Sequence, residues 1–432
     1  MKTCYCAVQQ RYCCACVVRS VAIVAADHEE LRNSDLRKIS DTITRLAAFR
    51  VGRGFQTNGQ HHDRLSDQGD FGSNPGALRA RIHVPDDLTE AAPLVVVLHG
   101  CTQTAAGYDD GSGWSQLADQ EGFALLFPEQ QRANNPNLCF NWFVPGDTKR
   151  NGGEALSIRQ MIEAVVVAHG LDRRRIFITG LSAGGAMTSV MLACYPEIFA
   201  GGAIIAGLPY GSAKTIPEAF DRMRGHGMPS ERQLQKALRD ASPHQGPWPS
   251  ISVWHGSADQ TVTSSNADAI IGQWRAIHGL DARSTRSEIV DGHSRRVWCN
   301  AQGQELIEEY RIAGMGHGTP LDTAGDAALG VGGPFMLDAG ISSTRHIARF
   351  WGIAKPCVKR DAKIKPAKAN NEALAPGFAR AFSTPKAGVP NVPSLCETCK
   401  HPAFSKAQLR RGDTKSHRGR PAIGRLDALA SR

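Results

Sequence analysis

No apolar run in this 432-residue chain approaches the roughly 18–20 residues that a membrane-spanning helix needs. A transmembrane segment is therefore not expected. No internal repeat is evident, which sets repeat architectures aside. Metal-binding spacing is nearly absent: CETC (Cys396 to Cys399) stands alone, without the second pair or the histidines in register that a zinc site needs. No metal and no cofactor are expected. A proper secretory signal is also missing. Lys2 and Arg11 precede the apolar stretch CVVRSVAIVAA, but Arg19 interrupts it before an apolar core can form. The Cys-rich first residues (Cys4, Cys6, Cys13, Cys14, Cys16) read as a degenerate targeting segment, and a start codon placed too far upstream would explain them equally well.

The basic excess is absent from most of the chain. The whole carries 50 Lys and Arg against 41 Asp and Glu, a net charge of +9. Residues 357–432 alone hold sixteen basic and five acidic residues, which leaves 34 basic and 36 acidic in the remainder. The body is near neutral and the basic balance belongs to the tail. That tail has frequent proline and neither Trp nor Tyr, so it reads as disordered. An arm that grips polymer is the alternative, although only Phe378, Phe382 and Phe404 would serve it; no specific nucleic-acid partner is expected. The length allows two or three domains, yet one patterned block stands out. Residues 1–65 are expected to form a poorly structured extension with one possible amphipathic helix (Asp35 to Arg50), residues 70–355 a single catalytic domain, and residues 356–432 the disordered basic tail.

Within the block, apolar strand candidates (Arg79 to Val84, Leu94 to Leu98, Ala124 to Phe127, Arg175 to Thr179, Gly202 to Ala206, Ile251 to Trp254, Leu306 to Ile312) alternate with helical stretches such as Leu156 to His169 and Asn266 to His278. Such alternation predicts an α/β fold, a mainly parallel sheet with helices on both faces.

The chemistry is concentrated where RRRIFIT meets GLSAGG and then AMTSVMLACY: strand, sharp turn, helix, with Ser182 at the apex of a G-x-S-x-G frame. A serine hydroxyl is a weak nucleophile unless it is exposed beside a base and a source of backbone N–H groups. Gly180 and Gly184 flank the turn, where a Cβ would crowd the reversed backbone. An acid and then a histidine should follow in chain order. ISVWHGSADQTV supplies Asp259 in a small-residue turn, while Asp268 looks like a helix-face residue; the alternative for Asp259 is an ordinary turn or capping role. ELIEEYRIAGMGHGTP supplies His317 in a glycine-bracketed loop after a strand, with His293 as the other candidate base. His317 would take the Ser182 proton and Asp259 would fix the imidazole tautomer. The oxyanion hole is expected from PLVVVLHGCTQ: the backbone N–H of Cys101, with that of Ala183 after the nucleophile. Cys101 is either a buried thiol or half of a disulfide with Cys139, and His99 supports the loop. Trp142 and Tyr210 are candidate aromatic walls for substrate, the alternative being packing.

HGCTQ, NWF, GGEA, GLSAGGAM, YPEIFAGGAIIAGLPYG, HGSADQTV and GMGHGTP occur together in this order. From Leu78 to Gly352 the chain thereby resembles the catalytic domain of the poly(3-hydroxybutyrate) depolymerase family of esterases, within the α/β-hydrolases. The resemblance implies that Ser182, Asp259 and His317 form the triad and that Cys101 and Ala183 form the oxyanion hole. It implies further that the reaction is hydrolysis of short-chain polyhydroxyalkanoate esters through an acyl-enzyme. Feruloyl or acetyl esters of plant polysaccharides are the alternative substrates in related branches, and a non-catalytic binding homologue is a third reading. The implied partner is a polyester or a small ester. The implied location is extracellular, otherwise cytoplasmic. The oligomeric state is not legible.

Overall fold

The computed structural model describes residues 63–325 and 327–355. The amphipathic segment expected at residues 35–50, the N-terminal cysteines and the basic tail lie outside the described residues.

Ten strands form one sheet in the order β1-β2-β4-β3-β5-β6-β7-β10-β9-β8. The central six, β4 (Ala124–Glu129), β3 (Leu94–Leu98), β5 (Ile176–Leu181), β6 (Gly201–Ile205), β7 (Ser250–Gly256) and β10 (Glu305–Ile312), are parallel. One edge is closed by antiparallel β2 (Arg79–His83) and β1 (Ser66–Asp67), the other by the hairpin β8 (Arg286–Val290) and β9 (His293–Cys299). A separate pair, β11 (Thr319–Leu321) and β12 (Met336–Asp338), is also parallel. This is the fold expected of the sequence, and the seven expected strands lie within two residues of the observed bounds.

The sheet separates two cores because side chains alternate along each strand. Leu94, Val96 and Leu98 enter one core and Val95 and Val97 the other; Leu126 and Ile178 fall on the first side, Leu125 and Phe177 on the second. The first core is covered by α3 (Gly153–His169), α4 (Ala183–Cys194) and α7 (Ser265–Ile277), the second by α1 (Ala105–Ser112), α2 (Trp114–Glu121) and α8 (Ser343–Phe350). Along α3 the buried apolar residues Ala155, Ile158, Met161, Ile162, Val165 and Val166 recur at the helical three-four spacing. Two further helices, α5 (Ile216–Met223) and α6 (Glu231–Asp240), lie between β6 and β7 in the chain; α6 begins at a capping box made by Ser230 and Gln233.

The hairpin was not expected from the apolar pattern. Its strands, RSEIV and HSRRVWC, carry few apolar residues, and charge holds them together instead. Arg295 meets Glu288, Glu305 and Glu308, and Arg296 meets Glu309, so cross-strand ion pairs stand where hydrophobic alternation would otherwise mark a strand. Among the described residues no helix is long and apolar enough to cross a membrane.

Candidate active site

β5 runs straight into α4 with only Ser182 between them. Ser182 has φ 57° and ψ −116°, a backbone conformation that side chains rarely adopt and one that strains this turn. The turn is held by the Ser182 N–H donating to the Ile205 carbonyl (2.9 Å) and by the Ala186 N–H donating to the Ser182 carbonyl (2.8 Å). Both flanking glycines are required by close approach. A Cβ on Gly180 would come within 2.5 Å of the Gly184 backbone, and one on Gly184 within 2.3 Å of the Leu98 carbonyl. The elbow is therefore pressed against the carboxyl end of β3, where the 99–104 loop begins.

Three carboxyl ends of parallel strands converge here. β5 delivers Ser182, the turn after β7 delivers Asp259, and the loop after β10 delivers His317. His317 Nε2 lies 2.9 Å from Ser182 Oγ, and His317 Nδ1 lies 2.7 Å from Asp259 Oδ2. With Nδ1–H donating to the carboxylate, Nε2 is left to accept the serine proton. Residues separated by 135 and 58 positions in the chain thus meet at hydrogen-bond distance. Asp259 Oδ1 accepts from the N–H groups of Thr261 and Val262, both at 2.9 Å. Burial pushes the Asp259 pKa up, but the hydrogen bonds from His317 and from the Val262 N–H, with the attraction of the His317 imidazole, outweigh it and hold the carboxyl below the usual range. The acid and base loops are also joined directly: Ser257 N–H donates to the Ile312 carbonyl, Ala258 N–H to the Met315 carbonyl, and Gly314 N–H to Ser257 Oγ.

The other expected residues are placed as follows. His293 sits on the edge hairpin, its Nε2 2.8 Å from the Ala339 carbonyl and its Nδ1 accepting from the Ala313 N–H, so it is not joined to Ser182. Asp268 lies on α7 and pairs with Arg311. His99 is buried and pinned between the Gly100 carbonyl (2.8 Å) and the Gln130 N–H (3.1 Å), an arrangement that supports the loop. Cys101 forms a disulfide with Cys139. In the same loop the Gly100 N–H is taken by Gln103 Oε1 and the Thr102 N–H by the Asn137 carbonyl. Among the described residues the Cys101 N–H has no acceptor, and the Ala183 N–H is the first amide of α4, which an α-helix leaves unpaired. Trp142 is 9% exposed and packs edge-on against Phe143 within the first core. The Tyr210 hydroxyl donates to the Thr148 carbonyl (3.3 Å) while Gln273 brackets its backbone N–H and carbonyl. Both aromatic residues are engaged in packing.

Two residues with a place at the site were missed in the sequence. His255, the one histidine of β7, is buried with Nε2 2.8 Å from the Val262 carbonyl and 3.5 Å from Asp259 Oδ2. Burial holds its pKa below the usual histidine value, so it stays neutral beside the acid. Glu154 is the other, and it reaches the 99–104 loop only through residues 130–141. A cavity of about 1100 Å³ opens at the opposite, amino end of the parallel strands, with Arg175, Ser250 and Glu305 at its wall; it lies away from Ser182.

A family model described as Esterase PHB depolymerase matches residues 79–295. Poly(3-hydroxyalkanoate) depolymerase C of Paucimonas lemoignei is 45% identical over 295 residues, covering 67% of this chain and 70% of the relative. Feruloyl esterase B of Talaromyces funiculosus is 30% identical over 269 residues, 60% of this chain and 74% of its own length. Acetylxylan esterase A of Emericella nidulans is 30% identical over 263 residues, 59% of this chain and 84% of its own. The solved acetyl xylan esterase from Aspergillus awamori superposes with a TM-score of 0.57 at 24% identity, covering 67% of this chain and 99% of that one, a likeness of fold.

Proposed function

We propose that this chain, which belongs to the poly(3-hydroxybutyrate) depolymerase family of esterases and is a carboxylic ester hydrolase of the α/β-hydrolase fold, hydrolyses ester bonds of short-chain polyhydroxyalkanoates or their oligomers with Ser182 as nucleophile. The observation that carries the mechanism is the continuous line from Ser182 Oγ through His317 to Asp259, with links of 2.9 and 2.7 Å. The substrate class rests on the 45% identical relative, whose name is that of a polyhydroxyalkanoate depolymerase.

In this mechanism His317 Nε2 takes the Ser182 proton as Oγ bonds to the ester carbonyl carbon. The carbonyl oxygen becomes an oxyanion and is met by the N–H groups of Cys101 and Ala183 at the positive end of α4. The tetrahedral intermediate then collapses. The C–O bond to the alcohol breaks, and the alcohol leaves with the proton from Nε2. Water attacks the acyl-enzyme, gives its proton to Nε2, and the hydroxy acid departs as Ser182 regains a proton. Asp259 remains ionised throughout and fixes the imidazole tautomer.

A second reading, hydrolysis of feruloyl or acetyl esters, is favoured by the two relatives at 30% identity. One panel separates them: amorphous poly(3-hydroxybutyrate), hydroxybutyrate oligomers, p-nitrophenyl butyrate, methyl ferulate and acetylated xylan. The hydroxybutyrate substrates are expected to have the highest kcat/KM among the natural esters. Higher kcat/KM on methyl ferulate or acetylated xylan would transfer the assignment to the second reading. With p-nitrophenyl acetate as the short reference ester, alanine at Trp142 or Tyr210 should raise KM for oligomers more than for the acetate if the rings also meet the acyl chain. Equal losses with a lower Tm would leave them as packing residues.

We also propose that the protein works outside the cytoplasm. Disulfides persist in oxidising compartments, and the Cys101–Cys139 bridge ties the loop that carries the proposed oxyanion amide to residues 130–141. Expressed in a secreting bacterium, the protein should appear in the medium or periplasm with Cys101 and Cys139 protected from alkylation after denaturation. Active enzyme confined to the cytoplasm with both thiols alkylated would exclude this.

A further inference from the structure

The 99–104 loop offers the Cys101 amide, yet little regular structure holds it. It leans on residues 130–141, a stretch of turns, through three links. The Gln130 N–H donates to His99 Nε2 (3.1 Å), the Thr102 N–H donates to the Asn137 carbonyl (2.7 Å), and Cys101 is bridged to Cys139. A loop can be no better placed than its support, and the support converges on one side chain. Glu154, fully buried in the first turn of α3, accepts from Gln130 Nε2 (2.7 Å) and Asn134 Nδ2 (3.2 Å) on Oε1 and from the Asn141 N–H (2.8 Å) on Oε2. Gln130 Nε2 also donates to the Cys139 carbonyl (3.0 Å), so the carboxyl and the disulfide are one residue apart. Gly76 closes the pocket from outside: a Cβ there would lie 2.5 Å from the Glu154 Cα.

We propose that Glu154 is a positioning residue for ester hydrolysis, holding the 130–141 loop so that the disulfide and the Asn137 carbonyl fix the Cys101 amide where the oxyanion forms. The proposal rests on the reading of Ser182 and Cys101 given above.

Stability alone is a poor reason for this group. Burial raises the Glu154 pKa to about 8 even against the bonds from Asn141, Gln130 and Asn134, with Asp147 adding to the rise. Ionisation of Glu154 is therefore opposed by its burial, and the contribution of Glu154 to stability falls as pH rises from the ordinary carboxyl value of 4.5 to about 8. Buried ion pairs can often be exchanged for apolar groups without loss of stability, but Glu154 faces neutral donors, each of which would be left unpaired. An apolar side chain, however, could not gather three donors from one loop at a single point.

The test is a double-mutant cycle on p-nitrophenyl butyrate between Glu154→Gln and the pair Cys101→Ala/Cys139→Ala. Glutamine keeps one acceptor for Gln130 and Asn134 but turns an NH₂ toward the Asn141 N–H. Glu154→Gln should lower kcat roughly tenfold, less than the 10²–10³ that loss of an oxyanion donor costs outright, with KM within about twofold. The disulfide variant should show the same kcat-specific loss. Combined, the costs should be clearly smaller than their product, because both act through one loop. Wild-type kcat in Glu154→Gln, or costs that multiply, would overturn the proposal. If Glu154→Gln fails to fold, Gln130→Met cuts the same link from the loop side, and wild-type kcat there is equally fatal. Fluorophosphonate labelling tells the two levels apart. Failure to label Ser182 in the wild type would sink the active-site reading, whereas wild-type labelling rates in the variants would sink only the role of Glu154.

Discussion

Replacing Ser182 by alanine is expected to lower kcat for p-nitrophenyl butyrate by about 10⁴–10⁶ while the protein stays folded, the size of effect seen when a triad member is removed. The hydroxyl oxygen is the only heavy atom lost, and among the described residues its one side-chain bond, to His317 Nε2, is the one the proposed mechanism uses. The backbone bonds to Ile205 and Ala186 are untouched. Alanine still carries a Cβ at φ 57°, so the strain of the elbow persists and the change in Tm should be small. Glycine at the same position sheds that strain, and Ser182→Gly should be as inactive as the alanine variant and no less stable. A fluorophosphonate should attach to Ser182 and to no other residue, read by peptide mass. Turnover within tenfold of wild type in the alanine variant, or a tag on another serine, would remove Ser182 from the mechanism.

The elbow was legible in the sequence because its requirements are local. A strand, a turn with no room for two Cβ atoms and a helix occupy consecutive residues, so G-x-S-x-G between RRRIFIT and AMTSVMLACY carries its own structural context. The order of the acid and the histidine was legible for a different reason: a parallel sheet brings the carboxyl ends of β5, β7 and β10 to one edge, so residues after each strand become neighbours. Choosing His317 over His293 depended on which loop, not which residue type, follows the parallel strand.

What escaped the sequence reading is held together by charge or by distant partners. The edge hairpin is marked by Asp291-Gly292, with Val290 paired to His293 across a two-residue turn. Asp-Gly is a strong hairpin signal, and attention to apolar runs alone passed over it. Glu154 looks in sequence like an ordinary acid in the first turn of a helix, where the macrodipole favours it. Only the folded chain brings Gln130, Asn134 and Asn141 onto its two oxygens. The pairing of Cys101 with Cys139 stayed open because twelve cysteines allow many connectivities and the loop that brings these two together has no periodic pattern.

Asp259→Asn is expected to cost about 10⁴ in kcat, with KM little changed, through the wrong tautomer of His317 rather than through loss of structure. Asp259 Oδ1 accepts two N–H groups, from Thr261 and Val262, so an asparagine keeps its carbonyl oxygen there and must direct its NH₂ to where Oδ2 stood. That NH₂ then faces His317 Nδ1, now 2.7 Å from a carboxylate oxygen. Two donors cannot share the line, and the imidazole is driven to carry its proton on Nε2. From there it points a hydrogen at Ser182 Oγ and can no longer accept one. His255 cannot substitute for the acid, since its Nε2 is committed to the Val262 carbonyl and burial keeps it neutral. In the wild type, Asp259 is held below its ordinary value of 3.8, so activity lost on acidification above that value does not arise from its protonation. Rates for the asparagine variant should be measured with p-nitrophenyl butyrate from pH 5 to 9, alongside its melting temperature. A variant with kcat within tenfold of wild type would show that Asp259 is a turn residue after all. A variant that loses activity and melts well below the wild type would assign Asp259 to holding the 256–262 turn rather than to orienting His317.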